Sequence, residues 1–374
     1  MSLRITTTLC CQVVRTRLFA LESLPNRCDY QPIFASGPPV INNSVFAFVI
    51  SALLIPFLVS CSTLTSGQSA AGSRLVDLLP FELDPRNPEQ KEFGRLTLLS
   101  AYQLRSKDSR FGGLSGSAVG ADGRLYWVSD QGYWVSARMN LDAEGHLTDL
   151  TDWDIQPLLS TTGVPVRDPL YDAEALARAA DGSFLVSFEK AHRIWRYPPP
   201  PVNSQSLPTA VPTPAEIAQA PPNGGLESTT VLPDGRILTI TEELQNPDGS
   251  FKGWLIDKDH FAELSYLPSD GFQASDCAAL QNGDVIVLER RYVPFGILYA
   301  RLKLVRGKNI HPGGKLVGEE LLRLESPLWV DNFEGLAVQE DPTKGTILYL
   351  VSDDNYNPFQ QTLLLQFRLN RAAD

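Results

Sequence analysis

The sequence predicts an all-β chain of repeated four-stranded antiparallel units closed into a ring, and three observations carry that expectation. A hairpin pattern recurs five times beyond residue 90, each copy is followed by a third and usually a fourth strand-like run, and one unpaired run precedes the first copy. Self-similarity at a spacing of roughly 50 to 60 residues marks radially repeated sheets.

The hairpins are GGLSGSAVGADGRLYWVSDQ (112–131), YDAEALARAADGSFLVSFEK (171–190), GGLESTTVLPDGRILTITEE (224–243), ASDCAALQNGDVIVLERR (274–291) and DNFEGLAVQEDPTKGTILYLVSDD (331–354). Each is a small-residue strand, a DG or NG turn (expanded to DPTKG in the last) and an apolar strand. Asp-Gly and Asn-Gly supply the positive φ angles that tight hairpins need.

Third strands follow as WVSARMNLD, RIWRYP, GWLIDKD, ILYARLKLV and TLLLQFRL, with weaker fourth strands such as FAELSYLP and KLVGEELLRLE. The last unit stops at its third strand. FGRLTLLSAYQL (93–104), set beside TLLLQFRL, would complete it and remove the open edges that invite aggregation. The expected fold is therefore a β-propeller of four-stranded antiparallel blades, its ring closed by an N-terminal strand beside the C-terminal strands. Five blades are counted, and six if the joins at 143–170 or 198–222 hold a degenerate blade.

The proline-rich stretch 198–223 is too irregular for a central strand and reads as a surface loop, with room for a short edge strand. A chain of 374 residues admits two domains or one large all-β domain. Nothing in the pattern argues for a second, so the propeller is placed at 91–370.

Residues 40–60 are uncharged and apolar, and they lead into Leu58-Val59-Ser60-Cys61, which resembles a bacterial lipobox with Cys61 as the lipidated residue. A conventional cleaved signal or a single membrane helix are the alternatives. The polar, small-residue run that follows is expected to be a flexible tether over 61–90. No Lys or Arg lies just upstream of the apolar run, which suggests that translation begins near residue 40 and that 1–39 is a mis-annotated extension. The expected location is the bacterial cell envelope, exported to the periplasm and held at the membrane by an N-terminal lipid anchor.

A formal net charge of −11 repels phosphate backbones and argues against nucleic-acid binding. Cys10, Cys11, Cys28, Cys61 and Cys277 show neither metal-site spacing nor a disulfide framework, and Cys277 reads as a small buried strand residue.

The informative side chains are carboxylates at the open ends of the hairpins. Glu174 and Glu189 are 15 positions apart, as are Glu227 and Glu242, and Ser115 and Asp130 share that spacing. Asp276 and Glu289 are 13 apart, read as one step nearer the turn on each strand, and Glu334 and Asp353 are 19 apart around the longer turn. One rim of the ring is thus expected to collect an acid from every unit, where the channel opens. Like charges held that close repel unless a cation or a shared proton intervenes. Oxygen ligands with few histidines suit Ca²⁺ or Mg²⁺ better than zinc. The candidate metal ligands are Glu174, Glu189, Glu227, Glu242, Asp276, Glu289, Glu334 and Asp353. A purely structural alternative has these acids capping strand ends, bonding amides of the next blade, or pairing with Arg193, Arg290 and Arg291.

Other chemistry finds little support. GLSGS at 113–117 lacks the second glycine and the strand-to-helix context of a nucleophile elbow. The four histidines form no metal-spaced pair, and SDDNYNPFQQ (352–361) has alternate oxygen ligands without the glycine and distal glutamate of an EF-hand.

The hairpin units, and above all DNFEGLAVQ followed by LYLVSDDNYNPFQQTLLLQFRL, resemble the family described as having esterase-like activity of phytase. The resemblance covers about residues 92 to 370 and is most specific at DNFEGLAV and SDDN. It implies an exported bacterial protein that hydrolyses phosphomonoesters. By way of the β-propeller phytases it implies calcium held by acids at the mouth, where it binds substrate phosphate and activates a water.

Two functions follow. One is a Ca²⁺-dependent phosphoric monoester hydrolase of a small phosphorylated substrate, with Glu174, Glu227 and Glu334 as catalytic carboxylates and Arg290 or Arg291 holding phosphate oxygens. The alternative is a non-catalytic envelope propeller whose mouth binds a ligand or protein partner.

Overall fold

The computed structural model describes residues 74–203, 206–293 and 297–370. The apolar run 40–60 and Cys61 lie outside them. Among the described residues no helix is long and apolar enough to cross a membrane.

Before the first blade come β1 (Val76–Pro80), β2 (Glu92–Phe93) and β3 (Leu96–Ser106). The first blade is β4 (Leu114–Val119), β5 (Arg124–Ser129), β6 (Tyr133–Leu141) and β7 (Leu147–Pro157). The second is β8 (Ala173–Arg178), β9 (Phe184–Phe188), β10 (Arg193–Tyr197) and the short edge strand β11 (Thr209–Val211). The third is β12 (Ser228–Val231), β13 (Ile237–Gln245), β14 (Phe251–Asp257) and β15 (His260–Tyr266). The fourth is β16 (Gln273–Ala279), β17 (Val285–Val293) and β18 (Ile297–Val305), then the two-residue β19 (Lys315–Leu316), which pairs with β15 of the third blade, and β20 (Gly318–Leu324). The fifth is β21 (Asn332–Asp341), β22 (Gly345–Asp353) and β23 (Thr362–Leu369).

The fifth blade takes its fourth strand from β3, which pairs antiparallel with β23 from Leu96 to Leu104. This is the expected closure. The innermost strands β4, β8, β12, β16 and β21 each touch the next, and β21 touches β4, so the ring has five blades. The joins that left room for a sixth instead hold β7 and β11, the outer strands of the first two blades.

One difference concerns the expected tether over 61–90. β1 pairs with β3 from Val76↔Ser106 to Pro80↔Tyr102, and Val76 and Leu83 are fully buried. From residue 76 the chain is part of the sheet, because VDLLP finds a free edge on β3. Its sequence shows no alternation that would have marked it.

Five buried apolar clusters hold the molecule together, one between each pair of neighbouring blades. Most blades are therefore covered on both faces, which is why the second strands are continuous apolar runs such as Val285-Ile286-Val287-Leu288. Near the axis the blades approach backbone to backbone. A Cβ at Gly116 would lie 2.4 Å from the Leu176 nitrogen and 2.6 Å from the Ala175 carbonyl carbon. Only glycine fits there.

Candidate functional site: a carboxylate mouth with one built-in cation

The inner hairpins share a local irregularity that positions the site. In the first, second, fourth and fifth blades the register shifts between Leu114 and Gly116, Ala173 and Leu176, Ala274 and Asp276, and Phe333 and Gly335. A bulge of this kind leaves a residue unpaired and re-aims its side chain. In the third blade the regular ladder starts at Ser228, and the Glu242 amide donates to the Gly225 carbonyl at 3.1 Å. The residues at the equivalent position, one per blade, are Ser115, Glu174, Glu227, Ser275 and Glu334.

A second set sits at the end of each second strand. Asp130, Glu189 and Glu242 donate backbone N–H groups to Gly113, Asp172 and Gly225, while Arg290 pairs with Gln273 and Asp353 with Asn332. The five positions thus read Asp130, Glu189, Glu242, Arg290 and Asp353. In four blades the residue is acidic, and in the fourth it is arginine.

That arginine gathers the carboxylates. Arg290 bonds to Glu242 at 3.1 Å, to Glu334, and to the Asn332 side-chain oxygen at 3.2 Å, and lies 3.8 Å from Glu227. Asn332 also donates to Glu334 at 2.7 Å. The acids around Arg290 hold its guanidinium charged against the cost of burial.

Across the mouth the acids have less help. Ligand oxygens of Asp172, Glu174 and Glu189 lie within 4.8 Å of one another. Asp172 is paired with Lys190 at 3.0 Å, and Glu189 accepts the amide N–H groups of Gly224 and Gly225 from the next blade. Glu174 is 9% exposed, and among the described residues its carboxylate has no hydrogen-bond partner. This cluster could hold a metal ion.

Protonation follows from this layout. Burial, then the charges of Glu189 and Asp172, raise Glu174 well above the ordinary glutamate range. Burial raises Glu227 in the same way, with Glu242 and Glu174 adding to it. Glu189 is pushed up to about 7, mainly by burial and against its two amide bonds. Asp130 reaches about 7 through burial and the neighbouring Asp353 and Asp172, and Asp353 about 6 through burial. One Asp130 carboxylate oxygen is buried without a partner. Eight carboxylates thus face two cations, Arg290 and Lys190, and a site built this way favours protons or an added cation over eight free charges.

The structure brings Glu174, Glu189, Glu227, Glu242, Glu334 and Asp353 to this mouth. It does not bring Asp276, Glu289 or Arg291 there. Because of the bulge after Ala274, Asp276 lies opposite Leu288 with no exposure, and it accepts the amides of Leu336 (2.7 Å) and Cys277 (2.8 Å) as a strut between the fourth and fifth blades. Glu289 sits on the other face of β17 from Arg290, held by Arg301 and by Tyr266 at 2.7 Å. Arg291 shares that other face; it stacks on Tyr299 and bonds to the Asp270 carbonyl at 2.9 Å. Spacing within the fourth hairpin pointed to the wrong pair, since one bulged residue reverses which side chains face the channel.

Arg290 is at the mouth, but its donors are taken by Glu242, Glu334 and Asn332 rather than free for a phosphate. Of the arginines considered as partners for the acids, Arg193 instead covers Phe188 and Trp195. Sequence reasoning also missed Asp172 and Asn332. Each stands two residues before a bulge glutamate, an Asp-x-Glu or Asn-x-Glu signal visible in both hairpins. Cys277 is buried, as its strand context suggested.

A family model for phytase-like proteins, described as esterase-like activity of phytase, matches residues 109–356. No curated protein matches the sequence. Among solved structures, the chain is similar to an α-L-arabinofuranosidase from Podospora anserina (11% identity, TM-score 0.44, 73% of this chain and 97% of that one). It is also similar to the major allergen Mala s 1 of Malassezia sympodialis (13%, 0.38, 78% and 92%) and to a luciferin-regenerating enzyme (11%, 0.37, 72% and 94%).

Proposed function

Because this chain belongs to the family described as esterase-like activity of phytase, we propose that it is a metal-dependent phosphoric monoester hydrolase working at the carboxylate mouth. The observation that carries the reading is the convergence of Asp172, Glu174 and Glu189, with Glu174 buried and unpartnered among the described residues. Three carboxylates are a hard oxygen donor set, which fits Ca²⁺ or Mg²⁺ and leaves softer metals without their preferred ligands. We further propose export to the bacterial envelope, with residues 40–60 as the signal and Cys61 as the lipid anchor, on the strength of the lipobox-like Leu58-Val59-Ser60-Cys61.

A bound cation supplies charge neutralisation for the phosphate and polarisation of its P–O bonds. Asp172, Glu174 and Glu189 would hold it. Burial and its acidic neighbours raise Glu227, and a cation held beside it would favour the ionised form, which takes the proton of the attacking water. The water oxygen bonds to phosphorus as the ester P–O bond breaks, and the alcohol leaves after taking a proton from solvent. Glu334 and Glu242 are bound to Arg290, whose guanidinium also lies 3.8 Å from Glu227.

The engagement of Arg290 by Glu242, Glu334 and Asn332 favours a second reading, a propeller that binds a ligand without turning it over. Calcium titration of the purified protein separates them, following melting temperature and hydrolysis of a generic phosphomonoester in the same samples. The hydrolase predicts a calcium-dependent rise in both. In Glu174→Gln both calcium responses vanish with the lost ligand oxygen, while the calcium-free melting temperature stays near wild type, because burial already favours the neutral, protonated Glu174. A calcium-dependent melting shift without turnover leaves the binding protein.

A further inference from the structure

A cavity of about 1130 Å³ opens beside the carboxylate mouth, over the third, fourth and fifth blades, with Arg290 and Glu242 in its wall. That is the size of a pocket for a substantial organic ligand. Its chemistry is unusual for a phosphate site. The side walls carry Glu243, Glu325 and Asp331, and the basic residue among its lining is Arg290, already bonded to Glu242 and Glu334. Such a wall repels a polyanion.

Two aromatic rings stand at the rim with their faces open. Phe359 is 91% exposed and Tyr292 67%. Tyr292 is two residues beyond Arg290 on β17, so alternation sends its ring to the same side of the strand. The same lining holds planar amides: Gln273 and Asn355 make no side-chain hydrogen bond among the described residues, while Asn357 and Gln360 contact each other at 3.4 Å. Exposed aromatic faces cover flat apolar C–H surfaces, and free amides donate and accept at once, which matches vicinal hydroxyls. One class of ligand presents both on one rigid ring.

We propose that this pocket binds a neutral pyranose sugar. As the alcohol part of the ester cleaved at the adjacent acids, the sugar assignment rests on the hydrolase reading; the binding itself does not. The substrate is then a sugar monophosphate, or a sugar-containing ester with one phosphate, and not a polyphosphorylated ring.

The test is saturation-transfer NMR on the full chain in EDTA with methyl β-glucopyranoside and maltose, and with myo-inositol hexakisphosphate as competitor. Working without calcium or turnover separates failure of the pocket from failure of the hydrolase. Transfer to either sugar is expected, weakened about tenfold in Phe359→Ala and Tyr292→Ala, as for truncated aromatic anchors. Phe359 is nearly all in solvent, so its variant should melt at the wild-type temperature. Absence of transfer to both sugars at millimolar concentration overturns the proposal. So does transfer that persists undiminished in both variants, or displacement of the sugars by the hexakisphosphate at lower concentration than by the other sugar.

Discussion

Arg290 stands where the other four blades place Asp130, Glu189, Glu242 and Asp353. One basic residue in an acidic ring sets the charge balance of the whole mouth, because Glu227, Glu242 and Glu334 all lie within reach of its guanidinium. Removing one partner of a buried ion pair leaves uncompensated charge and costs about 3–5 kcal/mol. Arg290→Gln is therefore expected to melt well below wild type without calcium, and added calcium should recover part of the loss by replacing the missing charge. Thermal melting with and without the ion reads both effects; an unchanged melting temperature would show that Arg290 does not hold the acids together.

At the scale of the element, the bulge in the inner hairpin matters more than the strand around it. It turns Glu174 and Glu334 toward the axis, while their strand neighbours pack between blades. Gly116 follows the bulged Ser115 of the first blade and lies against the backbone of Ala175 and Leu176 beside Glu174. A methyl group there has to push one blade from the next. We expect Gly116→Ala to cost about 1–3 kcal/mol through overpacking, and to weaken the calcium-induced melting shift because Glu174 moves with Ala175. If Gly116→Ala melts like wild type, the close approach is not what fixes this part of the mouth.

Across the whole molecule, the acidic ring ties stability to pH. Asp130 and Glu189 at about 7 and Asp353 at about 6 bind protons more tightly folded than unfolded, where carboxyl groups titrate near 4. Their contribution is complete below the unfolded value and is lost as pH rises through 6 to 7. In EDTA the melting temperature should fall between pH 5 and pH 8, by about 2–4 °C for each kcal/mol lost. Calcium favours the ionised acids and should flatten or reverse that slope. A profile in EDTA that is level from pH 5 to 8 would mean that these groups titrate normally.

The sequence by itself determined the fold. Asp-Gly and Asn-Gly turns, repeated apolar second strands and the unpaired run before the first hairpin specify blades and their closure, because hairpin formation is local and ring closure follows from counting strands. It also put six of the eight candidate acids on one rim, since Glu174/Glu189 and Glu227/Glu242 share an offset of 15 and the 19 of Glu334/Asp353 differs by its longer turn. What only the tertiary structure decided is which side chains meet. In the fourth hairpin a single unpaired residue sends Asp276 and Glu289 between blades and Arg290 to the channel, and β1 joins the sheet because β3 leaves an edge for it. Side-chain direction in a strand reverses with every residue, so a one-residue bulge that spacing in sequence does not reveal exchanges the two faces. Where charges from five separate blades converge, their protonation belongs to the ring and not to any one hairpin.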